Sequence, residues 1–195
     1  MLLRINSFKF FISFPAVALV SIIVLSSVYT DYLLCLSAVI IHESGHLTTM
    51  ILTGNIPEGV EIRAFEVKLL KRSRYNTSYL KDILIISSGP LINILISIIF
   101  NGINYKFAAI NLFLGLFNLL PASNLDGGQL VFLILTGFIN FEQASKAVDI
   151  ITLIISFPVF FIGLIILFNS KYNFSILFIG LYLFLSFFIK KDKYL

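Results

Sequence analysis

Apolar residues run through this chain in blocks of about twenty, separated by short polar segments. A helix needs about 20 apolar residues to cross the hydrocarbon core of a bilayer. The blocks predict six crossings, at about 10–30, 32–53, 82–103, 107–138, 147–168 and 173–189. The fourth is overlong, and Pro121, Gly127 and Gly128 interrupt it near 121–128. Arg4 and Lys9 precede the first block, which is too long for the apolar core of a signal peptide and lacks a small-residue cleavage site, so it reads as a retained anchor. Between the second and third blocks, residues 59–69 read GVEIRAFEVKL. Apolar and polar positions alternate there with period two, and the phase slips at Ala64–Phe65, which predicts a short hairpin with a turn or bulge at the slip. Such a hairpin would be a plain surface element or an edge strand that pairs with an extended substrate segment. The expected fold is an all-α polytopic membrane protein of six transmembrane helices, with an interrupted fourth span and a membrane-surface β-hairpin between helices two and three. One domain, 1–195, is expected, with its core at 32–138.

Composition agrees with the pattern. Hydrophobic residues make up 58% of the chain and charged residues 12%, whereas soluble domains carry roughly 45–50% and about 25%. The lipid bilayer must therefore act as solvent. The net charge of +4 does not indicate nucleic acid, because the basic residues lie between the apolar blocks. With a cytoplasmic N-terminus, all Lys and Arg except Lys106 and Lys171 fall on the cytoplasmic side, so both termini are expected there. Richness in Ile, Phe, Asn and Lys is a compositional hint of an AT-rich bacterial genome, hence of a bacterial cytoplasmic membrane. Cys35 is the single cysteine, which excludes a disulfide framework and a cysteine metal cluster.

Two of the ten acids stand inside apolar blocks, Glu43 in AVIIHESGHLTTMIL and Asp126 in LFNLLPASNLDGGQLVFLIL. A charge at bilayer depth costs at least roughly 2.5–3.5 kcal/mol, so an intramembrane acid marks a functional site by default. Both histidines of the chain flank one of these acids, as His42-Glu43-Ser44-Gly45-His46. Positions i and i+4 share a helix face, so His42 and His46 can bind one metal ion while Glu43 faces a metal-bound water as general base. The alternative, a polar cluster joining helices, would be expensive if its groups were left unpaired. A catalytic zinc usually takes three protein ligands. No third histidine exists, and Cys35 lies about 10 Å along the helix from His42. Asp126 remains, with helix N-capping as its plainer role. Asn93, in Ser88-Gly89-Pro90-Leu91-Ile92-Asn93, is open to two readings: a donor to the scissile carbonyl or its oxyanion, or an interhelical hydrogen bond. Asn118 faces the same choice. Gly89 permits close helix contact, and it lies at the same depth as His46, each about 12 Å from the cytoplasmic edge.

These three motifs, His42 to His46, Ser88 to Asn93, and Asn118-Leu119-Leu120-Pro121 through Leu125-Asp126-Gly127-Gly128, together resemble the site-2 protease family of intramembrane zinc metalloproteases. The resemblance implies that His42, His46 and Asp126 hold Zn2+, that Glu43 activates water, and that Asn93 and Asn118 bind substrate. It implies cleavage of a transmembrane or membrane-adjacent segment of a membrane-embedded protein to release a regulator, and leaves room for a regulatory membrane partner. The compact layout, with no PDZ insertion or CBS module, is similar to the branch containing the sporulation protease that activates a pro-sigma factor. Asn124 stands where the family often has proline. The rival readings are a membrane protease of another type, such as a prenyl-protein endopeptidase, and a non-proteolytic membrane protein, either an ion-coupled transporter or an inactive client binder.

Overall fold

The structure is a computed structural model that describes residues 2–5, 8–12, 29–55, 57, 59–63, 66–70, 78–170 and 174–188. They fall into two compact units, residues 1–116 and 117–195.

The first unit opens with strands β1 (Leu2–Ile5) and β2 (Phe8–Ile12). Helix α1 (Tyr29–Leu52), strands β3 (Gly59–Arg63) and β4 (Glu66–Leu70), helix α2 (Tyr79–Phe100) and most of helix α3 (Tyr105–Asn118) follow. The four strands form one sheet in the order β1-β2-β3-β4. β3 and β4 pair antiparallel across the Ala64–Phe65 phase slip, with Arg63 opposite Glu66. β2 pairs with β3 in parallel, Lys9 opposite Gly59. The fold is therefore helices plus a four-stranded sheet, where the sequence predicted helices and one hairpin. The first predicted span is also corrected at its start, because Phe10–Ile12 belong to β2; residues 13–28 lie outside the described residues.

Helix α1 ends because the chain turns left-handed at Gly54, φ 79°, a conformation that costs glycine little. The Asn55 N–H bonds the Met50 carbonyl at 2.8 Å and the Gly54 N–H bonds that of Ile51 at 3.0 Å, the two bonds of a Schellman stop. Lys81 Nζ donates to the Thr53 carbonyl at 3.0 Å, satisfying another terminal acceptor. Helix α3 is capped by Asn104, whose side-chain oxygen takes the Phe107 N–H at 3.1 Å. Gly115 lets α3 close on α2, since a Cβ there would stand 2.9 Å from the Pro90 carbonyl oxygen.

The second unit holds α4 (Asp126–Thr136), α5 (Phe141–Ser170) and α6 (Ser175–Phe188). Ala122, Leu125 and Leu183 form one buried cluster, and Phe132, Ala144 and Val148 another. Asn140 caps α5 by accepting the Gln143 N–H at 2.9 Å.

Among the described residues, three helices, Asp31–Leu52, Tyr79–Phe100 and Phe141–Ser170, are long and apolar enough to cross a membrane. Many of their large apolar side chains face outward, Ile40, Ile98 and Phe157 among them, as lipid solvation requires. The predicted fourth span separates into α3 of 14 and α4 of 11 residues. At 1.5 Å per residue these reach about 21 and about 16 Å, so neither crosses by itself. Helix α6, at 14 residues, is likewise short.

Candidate metal centre

The two histidines sit one turn apart on α1, His42 buried and His46 half-buried. Their Nε2 atoms lie 3.2 Å apart, with the rings edge to face at a centroid distance of 4.8 Å. What holds them is at the opposite ring nitrogens. His46 Nδ1 lies 2.8 Å from the Ile85 carbonyl oxygen on α2. His42 Nδ1 lies 2.7 Å from Asn93 Oδ1. A carbonyl oxygen only accepts, so each neutral ring carries its proton on Nδ1 and donates it outward. Both Nε2 lone pairs then converge on one point. With a zinc–nitrogen distance of about 2.0–2.1 Å and tetrahedral angles, two ligating nitrogens stand about 3.3–3.4 Å apart. The pair observed at 3.2 Å thus fits a zinc bite, and Nδ1–H bonds to carbonyl groups are the usual outer support of metal-ligating histidines.

Which end of the Asn93 amide faces His42 is fixed by its neighbours. Asn93 is completely buried, as is Asn111. Asn93 Nδ2 donates to the Ala38 carbonyl at 3.1 Å and to Asn111 Oδ1 at 2.8 Å. Both amide hydrogens are therefore engaged, leaving Oδ1 for His42. Of the two roles open to Asn93 in the sequence, the interhelical hydrogen bond is the one its contacts describe. Donation to a substrate oxyanion would require Asn93 to release an amide hydrogen now directed at the Ala38 carbonyl or at Asn111 Oδ1.

Gly89 lies directly over this pair. A Cβ built on it would collide with His46 Nε2, stand 2.5 Å from His46 Cε1 and lie 2.9 Å from His42 Nε2. Gly45, on the histidine helix, faces the Ser88 carbonyl in the same way. The equal depth expected for Gly89 and His46 is seen here as direct apposition. The carbonyl serving His46 belongs to Ile85, which also accepts from Ser88 Oγ at 2.7 Å. It is the neighbour of Ile86, whose carbonyl loses its helical donor to Pro90. Glu43 is half-buried on α1, about 60° around the helix from His46 at 100° per residue.

In the second unit Asp126 is half-buried and is the first residue of α4. Leu125 occupies the N-cap position and makes no side-chain cap bond, so Asp126 stands one position past the cap that the sequence considered for it. A carboxylate in the first turn is favoured by the helix dipole. The segment before it folds back tightly. Added Cβ atoms would strike the Leu119 carbonyl at Gly127 and the Ala122 carbonyl at Gly128, which only glycines allow. Thr152 on α5 anchors the same segment: its Oγ1 accepts the buried Ser123 N–H at 2.8 Å and donates to the Val148 carbonyl at 2.7 Å. Asn118 ends α3 half-buried.

The sequence model of Peptidase family M50 matches residues 100–163, a stretch that includes Asn118 and the Asp126-Gly127-Gly128 turn. No curated protein matches the sequence. The fold is similar to that of the site-2 protease from Methanocaldococcus jannaschii, with a TM-score of 0.67 over 96% of this chain and 93% of that one at 20% identity. The family match thus covers about a third of the chain, and the structural match extends the likeness of fold to nearly all of it. At that identity the structural likeness speaks for the fold alone, and the chemistry rests on the residues. Sequence reasoning had not found Asn111; a second asparagine inside an apolar helix was the signal available for it.

Proposed function

We propose that this chain is an intramembrane zinc metalloendopeptidase whose zinc is held by His42, His46 and Asp126, with Glu43 as general base. The reading is carried by one observation: two imidazole Nε2 atoms, 3.2 Å apart in an apolar helix, with both Nδ1 atoms facing carbonyl oxygens. Two imidazoles with one carboxylate are a donor set that suits catalytic zinc. Zinc, when bound, supplies a Lewis acid that brings the pKa of water down to about 7.

The remaining chemistry belongs to the chain. Glu43 accepts the proton of the attacking water and returns it to the leaving amine. Asn93 keeps His42 oriented. Asn118 contacts the substrate backbone near the interruption between α3 and α4. The substrate is a transmembrane or membrane-adjacent segment of another protein, locally unwound because a helical peptide bond is shielded by its own hydrogen bonds. Its cleavage releases a regulator, and the termini of the protease face the cytoplasm of a bacterium.

The test is zinc content per chain in detergent-purified protein, wild type beside Asp126→Ala, followed by cleavage assays of Glu43→Gln. About one zinc in the wild type with a clear loss in Asp126→Ala is expected. Glu43→Gln should keep its zinc and lose about 10²–10⁴-fold in cleavage rate. A well-folded wild type without zinc would refute the metal centre, and undiminished cleavage by Glu43→Gln would refute the base.

A further inference from the structure

The hydrogen-bond chain behind His42 runs one residue further than orientation of a ligand requires. His42 Nδ1–H donates to Asn93 Oδ1 at 2.7 Å, Asn93 Nδ2 donates to Asn111 Oδ1 at 2.8 Å, and Asn111 Nδ2 donates to the Phe107 carbonyl at 2.9 Å. An asparagine amide is nearly symmetric in shape, so only its partners decide which end is oxygen. Suppose the Asn93 amide turned over. Its oxygen would then face two acceptors, the Ala38 carbonyl and Asn111 Oδ1. Its NH2 would face His42 Nδ1, which could meet it only as an acceptor. The single proton of the neutral ring would then sit on Nε2, where a metal ligand needs its lone pair. Asn111 cannot turn over to accommodate this, because its own NH2 is held by the Phe107 carbonyl.

We infer that Asn111 is a positioning residue for the metal ligand: acting through Asn93, it holds His42 in the Nδ1–H tautomer and keeps the Nε2 lone pair open to zinc. This rests on the zinc reading above for its purpose, not for its geometry. Asn111 stands one residue removed from the proposed ligand, bonded to Asn93 and to the Phe107 carbonyl. It is completely buried, as is Asn93, so water cannot substitute for the lost partner, and a half-satisfied buried network costs more than none.

The test reads the tautomer without metal. Protein with 15N-labelled histidine, stripped of metal in detergent at about pH 8, lies above the ordinary histidine range of about 6.5. Its two histidines give ring nitrogens whose shifts separate protonated from bare positions. Wild-type His42 should carry its proton on Nδ1. In Asn111→Leu the signal should move toward a mixture with Nε2–H, and zinc affinity by chelator competition should fall roughly ten- to hundred-fold, as for other outer partners of metal ligands. Asn111→Asp should restore both, because a buried acid stays neutral, donating its hydroxyl to Phe107 and offering its carbonyl to Asn93. Wild-type tautomer and wild-type zinc affinity in Asn111→Leu would overturn the inference. So would a proton on Nε2 of His42 in the wild type, a result that stands even where the leucine variant does not fold. Wild-type protein that keeps the Nδ1–H tautomer but binds no zinc supports the relay and sinks the protease reading alone.

Discussion

Replacing Gly89 by alanine adds one methyl group at the most crowded point of the metal centre. That methyl would stand 2.5 Å from His46 Cε1 and 2.9 Å from His42 Nε2, whereas unstrained carbon contacts lie at about 3.5–4.0 Å. Roughly 1 Å of clearance from the His46 ring is missing on that scale. The ring cannot swing away freely, because Nδ1 is tethered to the Ile85 carbonyl at 2.8 Å. Either the tether breaks or the 3.2 Å spacing of the two Nε2 atoms opens. Ligand distances in metal sites tolerate about 0.2 Å, so one imidazole is lost to the metal. Weakening an outer partner alone costs 10–100-fold in metal affinity; displacing a ligand should cost at least about 100-fold, or about 2.8 kcal/mol. Chelator competition in detergent measures this, with circular dichroism to show that helix content is kept. Gly102→Ala is the control, as nothing lies within 4 Å of a Cβ there. Zinc affinity of Gly89→Ala within about threefold of wild type would refute the argument that this glycine roofs the ligand pair.

Two further perturbations separate buried from exposed contacts. Thr152→Val removes the acceptor of the buried Ser123 N–H and should destabilise the protein by about 1–3 kcal/mol, seen as a lower thermal midpoint that Thr152→Ser recovers. The same valine variant should also bind zinc less tightly, since the anchored segment leads into Asp126; full zinc affinity would show that the anchor does not reach the ligand. By contrast, the Lys106–Asp31 ion pair at 3.2 Å is solvent-exposed, with side chains 71% and 48% accessible. Lys106→Ala should therefore cost under about 1 kcal/mol, and a larger fall in thermal midpoint would mean the pair is shielded by its surroundings.

Much of this arrangement was legible in the sequence because long apolar blocks and intramembrane polar residues are strong signals. The block at 32–53 corresponds to α1 at Tyr29–Leu52. The interruption expected near 121–128 is the segment 119–125 between α3 and α4, two residues earlier at its start and three at its end, with Pro121 inside the turn and not at its edge. Alternation over 59–69 maps onto β3 and β4. The strands β1 and β2 were not legible. Leu2–Ile5 and Phe8–Ile12 are mostly apolar on both faces and run into a longer apolar block, so no period distinguishes strand from span. Hydrogen-bond direction was equally hidden: the sequence offered Asn93 two roles, and only the positions of Ala38, Asn111 and His42 reveal which way its amide points.

The parallel pairing of β2 with β3 also bears on how the protein is made. Lys9 meets Gly59, a separation of fifty residues in which the whole of α1 is contained. Parallel strands cannot close by a tight turn, and contacts this distant in the chain form slowly because the loop must be ordered before the pairing compensates. During synthesis the first twelve residues must wait until β3 has emerged. The sheet is thus a late clasp, and the segment that carries His42, Glu43 and His46 is the loop it closes.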